Sequence, residues 1–442
     1  MSPDFKEYKH YKPDGTFYNE PVEIQAALDP ILGRITFSDD KPVDEVLVSY
    51  TYGFGGDIGG GPYDRRNAAS AELTREITWR AGVSKNIVPG TGPFFNNLTE
   101  ALKDWDQQEP GSAGLITIMD NRTYSEDQVI RIPEGSQLVI LAADWPFRKV
   151  DENGVIVYKR FLSDWTADDL RPHLSGNVEI AGTDSIVGTS SGNELIINGL
   201  LIEGSVSVKR ASNLEMLIIS HCTCVPQQNS LSVNELNDKL TIILRRTICG
   251  SIDLNTSLLG LTVNECIIDA GTELAVGAVT TPVKFIKSTV FGSMTARETH
   301  AENCIFTGRL SITRQQQGCI RFSYVAYESK TPRRYRCQPD LEITTRVSAA
   351  GPLHKISKIA RNKITRQVLA WLVPSFTSDV YGDPGYGQLG RLIPDQIRTG
   401  ADNESEMGVF NFLKQPQREA NLLIALREYL PLGLESGVIH VT

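Results

Sequence analysis

Val290-Phe291-Gly292-Ser293-Met294-Thr295-Ala296 is answered sixteen residues later by Phe306-Thr307-Gly308-Arg309-Leu310-Ser311-Ile312. Both read apolar-x-Gly-x-apolar-x-apolar. Upstream, Ile202-Glu203-Gly204-Ser205-Val206-Ser207-Val208 and Ile248-Cys249-Gly250-Ser251-Ile252-Asp253-Leu254 have the same form. The glycines lie 46, 42 and 16 residues apart, so each of the first two intervals holds two turns of 21–23 residues and the last holds one short turn. Residues 214–222 and 261–271 carry the intervening strands. A supersecondary unit repeated at this period is the mark of a solenoid, in which each repeat buries its apolar face against its neighbours.

Strand alternation predicts that Val206/Val208, Ile252/Leu254, Met294/Ala296 and Leu310/Ile312 point inward, with each glycine at a bend between short strands. Two residues before the apolar entry, the small residues Cys266, Ser288 and Cys304 are expected to stack inside. The same alignment points Arg246 inward, so either that turn is shifted or Arg246 sits at a corner. Working outward, short strands recur at 114–119, 128–133 and 137–141. The amphipathic stretch 94–105, with Phe95, Leu98, Ala101, Leu102 and Trp105 on one face, reads as a helix covering the open end. About ten turns over 113–345, at ~4.8 Å each, give a rod on the order of 50 Å long. A leucine-rich horseshoe is disfavoured, because no helix-forming segment separates the strands. The expected fold is an all-β solenoid, a right-handed single-stranded parallel β-helix, with an N-terminal β unit and a C-terminal α-helical region. Its expected parts are an extended arm (1–20), a β unit with a glycine-rich loop (21–90), the capped solenoid (91–345) and a helical docking region (346–442).

In the N-terminal part, 34–37 and 45–52 alternate as strands around a Ser-Asp-Asp-Lys-Pro turn. The run Gly55-Gly56-Asp57-Ile58-Gly59-Gly60-Gly61 lacks the Gly-Lys-Ser/Thr ending and the strand-turn-helix setting of phosphate-binding loops, and is expected to be a glycine-rich surface loop. In the C-terminal part, 353–373 reads as a helix with Ile356, Ile359, Val368, Leu369 and Leu372 apolar. A second helix, 417–430, would pack through Ala420, Leu423, Ala425, Leu426 and Leu430.

The composition, 40% apolar and 22% charged, is that of a globular chain and excludes a disordered one. Net charge is −9, but residues 321–366 hold eleven Lys/Arg against three Asp/Glu. The acidic remainder argues against nucleic acid as a partner. The cations Lys355, Lys358, Arg361, Lys363 and Arg366 are open to two readings, internal packing against the acidic solenoid, or docking on an acidic partner, a phosphate backbone or a membrane surface. Seven scattered cysteines read as free, buried thiols of a reduced compartment, and His221, Cys222 and Cys224 lack a full zinc ligand set. No metal or cofactor is expected. The first residues lack a secretory apolar stretch and no run is long enough to span a membrane, so a cytoplasmic location, or a particle assembled there, is expected.

The solenoid resembles the pectate-lyase and tailspike superfamily of right-handed parallel β-helix proteins over about residues 90–345. A second likeness lies mostly outside it, in Val48–Phe54, Gly59–Arg65, Arg333–Pro339, Tyr381–Tyr386, Thr399–Gly408 and Gln417–Asn421. These segments resemble an uncharacterised bacterial family associated with phage-tail-like and contractile injection loci. That resemblance implies subunits of a multi-protein assembly as partners, and no catalytic residues.

Three functions follow as expectations. The favoured one is a non-enzymatic structural or docking component, with homo-oligomers allowed. Carbohydrate binding without turnover would need an exposed aromatic patch. A polysaccharide lyase or glycoside hydrolase would need two carboxylates about 5–9.5 Å apart. The outward stripe Ser205/Ser207, Ser251/Asp253, Ser293/Thr295, Arg309/Ser311 offers only Asp253, and Glu203 and Asp269 lie on another stripe. Loop pairs such as Asp151/Glu152 or Asp164/Asp168/Asp169 stay open.

Overall fold

The computed structural model describes residues 26–29, 34–37, 56–87, 93–152, 155–160, 165–182, 192–209, 214–226 and 230–430. The chain divides into two units, 1–52 and 53–442. In the first, Arg34–Phe37 pairs antiparallel with Ala26–Asp29. The arm 1–20 and the strand expected at 45–52 lie outside the described residues.

The second unit is a right-handed parallel β-helix with three faces. The first face stacks strands at 79–83, 113–118, 137–142, 193–198, 214–220, 241–245, 260–264, 283–286, 299–302, 318–321 and 333–335. The second runs from 123–124 to 324–325, and the third from 128–132 to 310–312. The parallel sheet thus begins before residue 91, because Trp79–Val83 pairs with 114–118. Between these strands the capping helix Leu98–Trp105 crosses the open end. It starts later than its apolar pattern suggests, since Phe94–Phe95 pairs with Gly82 and Val83 and Asn97 caps the first turn by accepting from Glu100 N–H. An antiparallel hairpin, 147–152 with 155–160, is inserted within the second full turn, between the strands 137–142 and 173–174.

The inward row on the third face is Val178, Val206, Leu231, Ile252, Val276, Met294 and Leu310, in register and all buried. The corner between first and second faces explains the recurring small residues. His221, Arg246, Glu265, Lys287, Asn303, Phe322 and Arg336 are left-handed there, with φ between +44° and +58°. Each is followed by Cys222, Thr247, Cys266, Ser288, Cys304, Ser323 or Cys337. Each of these donates its S–H or O–H to the carbonyl two residues earlier. Several also accept an N–H from the preceding turn, as when Cys266 N–H donates to Ser288 Oγ. A buried corner of this shape needs a small side chain that satisfies backbone groups.

Both expectations for Arg246 hold. It occupies the corner while Thr247 takes the inward slot, and its turn is offset, because Cys249, not Ile248, pairs with Ile268 in the row continued by Val290 and Phe306.

Alternation would leave Thr223, Ile248, Ile267, Thr289, Ile305 and Tyr324 of the second face pointing to solvent, yet all are buried. Segments from both ends of the unit cover them. Gly59 lies where a Cβ would sit 2.5 Å from Thr223 Oγ1, and Gly408 where one would sit 2.7 Å from Thr289 Oγ1; their φ values are +73° and +92°. Gly387 approaches Ile267 in the same way. Gly60 N–H donates to Thr223 Oγ1 and Val409 N–H to Thr289 Oγ1. Ile58, Tyr386, Val409 and Phe410 complete the cover around Phe291. The glycine-rich segment is therefore not a surface loop. The apolar outer row demands a cover, and backbone can come this close only without side chains.

Candidate docking surface

Groups that look chemical in the sequence are mostly used to hold the covering segments. Arg65, 1% exposed, donates to Asn198 Oδ1 and to the carbonyls of Ala142 and Leu170. Asn198 and Ser220 in turn donate to Glu72, whose carboxyl burial pushes up. Tyr63 O–H donates to the Gly59 carbonyl and lies 2.9 Å from His221 Nδ1. Burial, then Arg65 and Arg246, push His221 down to about 3, so the ring is neutral. Cys222 and Cys224 belong to the core behind it, so the three do not converge on one point. Asp269 accepts from Tyr386 O–H at 2.5 Å and from Gly271 N–H.

On the outward stripe weighed for glycosidic chemistry, Asp253 has no carboxylate as its direct cross-strand neighbour. Asp253 has Ser232 and Gly277 as cross-strand neighbours, and Asn255 Nδ2 donates to it at 3.0 Å. Glu203 lies 3.0 Å from His173 Nε2. Asp151 and Glu152 lie in the inserted hairpin, and Asp164 lies outside the described residues. Tyr335, half exposed, is engaged edge-on with Phe322 at 5.7 Å.

The C-terminal cations are placed differently. The helix expected over 353–373 is broken. Leu353–Lys355 forms one 3-10 turn, and Lys358–Leu369 is a helix capped by Ser357, which accepts from Ala360 N–H. Its packing row is Ile364 and Val368, continued by Leu372, against Ile305 and Tyr324 on the last turns and Ile393, Ile397 and Met407 of the tail. Beside it, Arg346 lies over the Trp371 ring at 5.1 Å. Ile359 is off this row and 83% exposed, contrary to the expected apolar face. The i, i+4, i+8 spacing of Ile364, Val368 and Leu372 is the sequence signal that separates them from Ile359.

Lys355, Lys358, Arg361, Lys363 and Arg366 are all exposed. Of the eleven cations between 321 and 366, only Arg321, Arg334 and Arg346 have an acidic partner within 4 Å among the described residues. Ile359, Asn362, Lys363, Arg366, Gln367 and Ala370 line a shallow open groove along this face. The second helix, Gln415–Tyr429, buries no residue fully; Ala420 of its expected packing face is exposed, and Leu423, Ala425 and Leu426 are half-buried. Glu419 ties it to Arg398. Leu422, Ile424 and Tyr429 are exposed at 48, 55 and 86%.

No protein-family model matches the chain, and no curated protein matches it significantly. Among the described residues, no helix is long and apolar enough to cross a membrane.

Proposed function

We propose that this protein is a non-enzymatic docking component of a multi-subunit particle, with the solenoid as a rigid body and the helix Lys358–Leu369 as an attachment surface. One observation carries the reading: this helix carries four exposed cations that its own chain leaves unbalanced. Lys358 stands in the first turn, where the helix dipole disfavours a cation, and no acidic residue balances it there. Lys358/Arg361 and Lys363/Arg366 are like-charge pairs three residues apart, each costing about 0.2–0.5 kcal/mol. None of the four has an anionic partner within 4 Å among the described residues, so intramolecular pairing does not account for them. An anionic partner would. The resemblance of the flanking segments to a family of phage-tail-like and contractile injection loci supports such a particle, assembled in the cytoplasm, as the setting.

The test reverses Lys358, Arg361, Lys363 and Arg366 to Glu. Thermal stability is expected to hold or rise slightly, since exposed charges contribute only ~0–1 kcal/mol each. Co-purification with the products of neighbouring genes should be lost, and wild-type association should weaken as salt rises. A variant whose co-purification and self-association are both undiminished would overturn the proposal.

A further inference from the structure

The end of the solenoid opposite the cationic helix carries the complementary charge. Residues 93–135, which form the cap and the first turns, hold eight Asp/Glu against three Lys/Arg. One of those three, Arg131, is already paired with Asp106 at 3.0 Å. The capping helix Leu98–Trp105 turns Leu98, Ala101, Leu102 and Trp105 into the core and leaves Glu100 exposed. Thr99 Oγ1 donates to Glu126 Oε2 at 2.7 Å, which joins the helix to the turn carrying Glu126 and Asp127. Glu100, Glu126 and Asp127 therefore form one exposed anionic patch, with no cation within 4 Å among the described residues. Val129 next to it is 37% exposed, as Ile359 is exposed among the cations.

The two patches cannot neutralise each other within one chain. Glu126 and Asp127 follow the second-face strand 123–124 and the cationic helix packs on the turns of Ile305 and Tyr324, so up to eight spacings of ~4.8 Å separate them by about 35–40 Å, several times the ~8 Å screening length at physiological salt. A rod with opposite charges at its ends is complementary to a second copy of itself, end to end.

We infer that the exposed cations of the helix Lys358–Leu369 dock on the Glu100/Glu126/Asp127 cap of a second copy, so that chains associate head to tail. This rests on the reading of that helix as a docking surface and names its partner. The contact is heterologous, so it leaves a free end on each side and builds open chains or rings instead of a closed dimer. Opposite potentials would set the polarity and speed encounter, and make association sensitive to salt.

Sedimentation velocity on the full chain tests this with two variants. One carries Lys358→Glu, Arg361→Glu, Lys363→Glu and Arg366→Glu; the other carries Glu100→Lys, Glu126→Lys and Asp127→Lys. Asp127 also accepts from Asn177 N–H, so Glu100→Lys with Glu126→Lys alone serves if the triple variant melts early. Wild type is expected to associate at low salt and dissociate at high salt. Each variant alone should be monomeric, and mixing the two should restore association, since each then offers the other a complementary end. A wild type that stays monomeric at every salt and concentration overturns the inference, as does a helix variant that associates like wild type. If wild type is monomeric yet the helix variant still loses co-purification with neighbouring gene products, the docking surface stands and only the second copy is excluded as its partner.

Discussion

Ile252 and Ser251 are sequence neighbours with opposite fates. Ile252 is 1% exposed and stacked between Leu231 and Val276, whereas Ser251 is half-buried on the outer side. Ile252→Asp places an unpaired charge in a close-packed stack and should cost more than about 3 kcal/mol, while Ser251→Asp should change stability by less than about 1 kcal/mol. Denaturant melts of the two variants check this, and similar midpoints would mean that the inward register is wrong. Cys222, Cys266 and Cys304 make a second case. All three are fully buried and free, and burial pushes Cys266 and Cys304 up to about 12 and Cys222 higher still. The thiolate is the reactive form, so these sites should label with iodoacetamide only after denaturation. Quick labelling of all three in the folded protein would contradict the corner stack. At this scale the sequence was largely legible, because period-two alternation depends only on neighbours. Arg246 was ambiguous because the left-handed corner residue can be any type that points outward. The information lies in the following residue, Thr247, whose hydroxyl bonds its own turn.

Within elements, legibility depended on whether a partner was visible in the same stretch. Ile248-Cys249, Ile267-Ile268, Ile305-Phe306 and Tyr324-Val325 are consecutive apolar pairs in two-residue strand positions of the second face. Adjacent apolar residues on a strand mean that both faces are buried, and this is the signal that a cover was required. What supplied the cover lay far away, in 56–65 and 376–413, so no local pattern revealed it. The exposure of the helix Lys358–Leu369 was equally hidden, because sequence charge counts do not show which acids come within reach. The tail also contains a pH-sensitive group. Glu406 is 5% exposed, and burial pushes its carboxyl up to about 7, against the opposing effect of Arg398. The folded state therefore holds this proton more tightly than the unfolded chain. Its contribution is fully present below the unfolded value of about 4.5 and is lost as pH rises through about 7. Glu406→Gln is neutral throughout, so it should stabilise the protein by on the order of 2–3 kcal/mol above pH 7 and by little near pH 4.5. Melting curves across that range check the sign, and a pH-independent difference would show that the carboxyl is not held neutral.

For the whole molecule, the covering segments decide how the solenoid unfolds. A bare stack of turns contacts only its neighbours, so it can open piecewise from an end. Here the cover ties distant turns together. Gly408 N–H donates to the Asn303 carbonyl, Asn303 and Asp402 exchange two hydrogen bonds, Tyr386 bonds Asp269, and Arg246 lies 4.5 Å over the Phe412 ring. The tail thus spans the turns from Arg246 to Tyr324 and seals the outer apolar row at Ile267, Phe291 and Ile305, while Gly59 covers Ile248. Each such side chain gains roughly 1.5–3 kcal/mol on full burial. A chain ending at Val373 would expose much of that row, a patch of the kind that binds apolar dyes and aggregates. It should bind such a dye in its native state and lose amide exchange protection in the second-face strands between residues 248 and 325. The first-face strand 113–118 lies under the capping helix at the other end, 137–142 pairs with it, and neither belongs to the tail's apolar clusters, so they should keep their protection. Hydrogen exchange read by mass spectrometry separates the outcomes. Protection lost equally at both ends would mean that the solenoid opens as one unit, and protection kept at both would mean that the tail is not the staple its contacts describe.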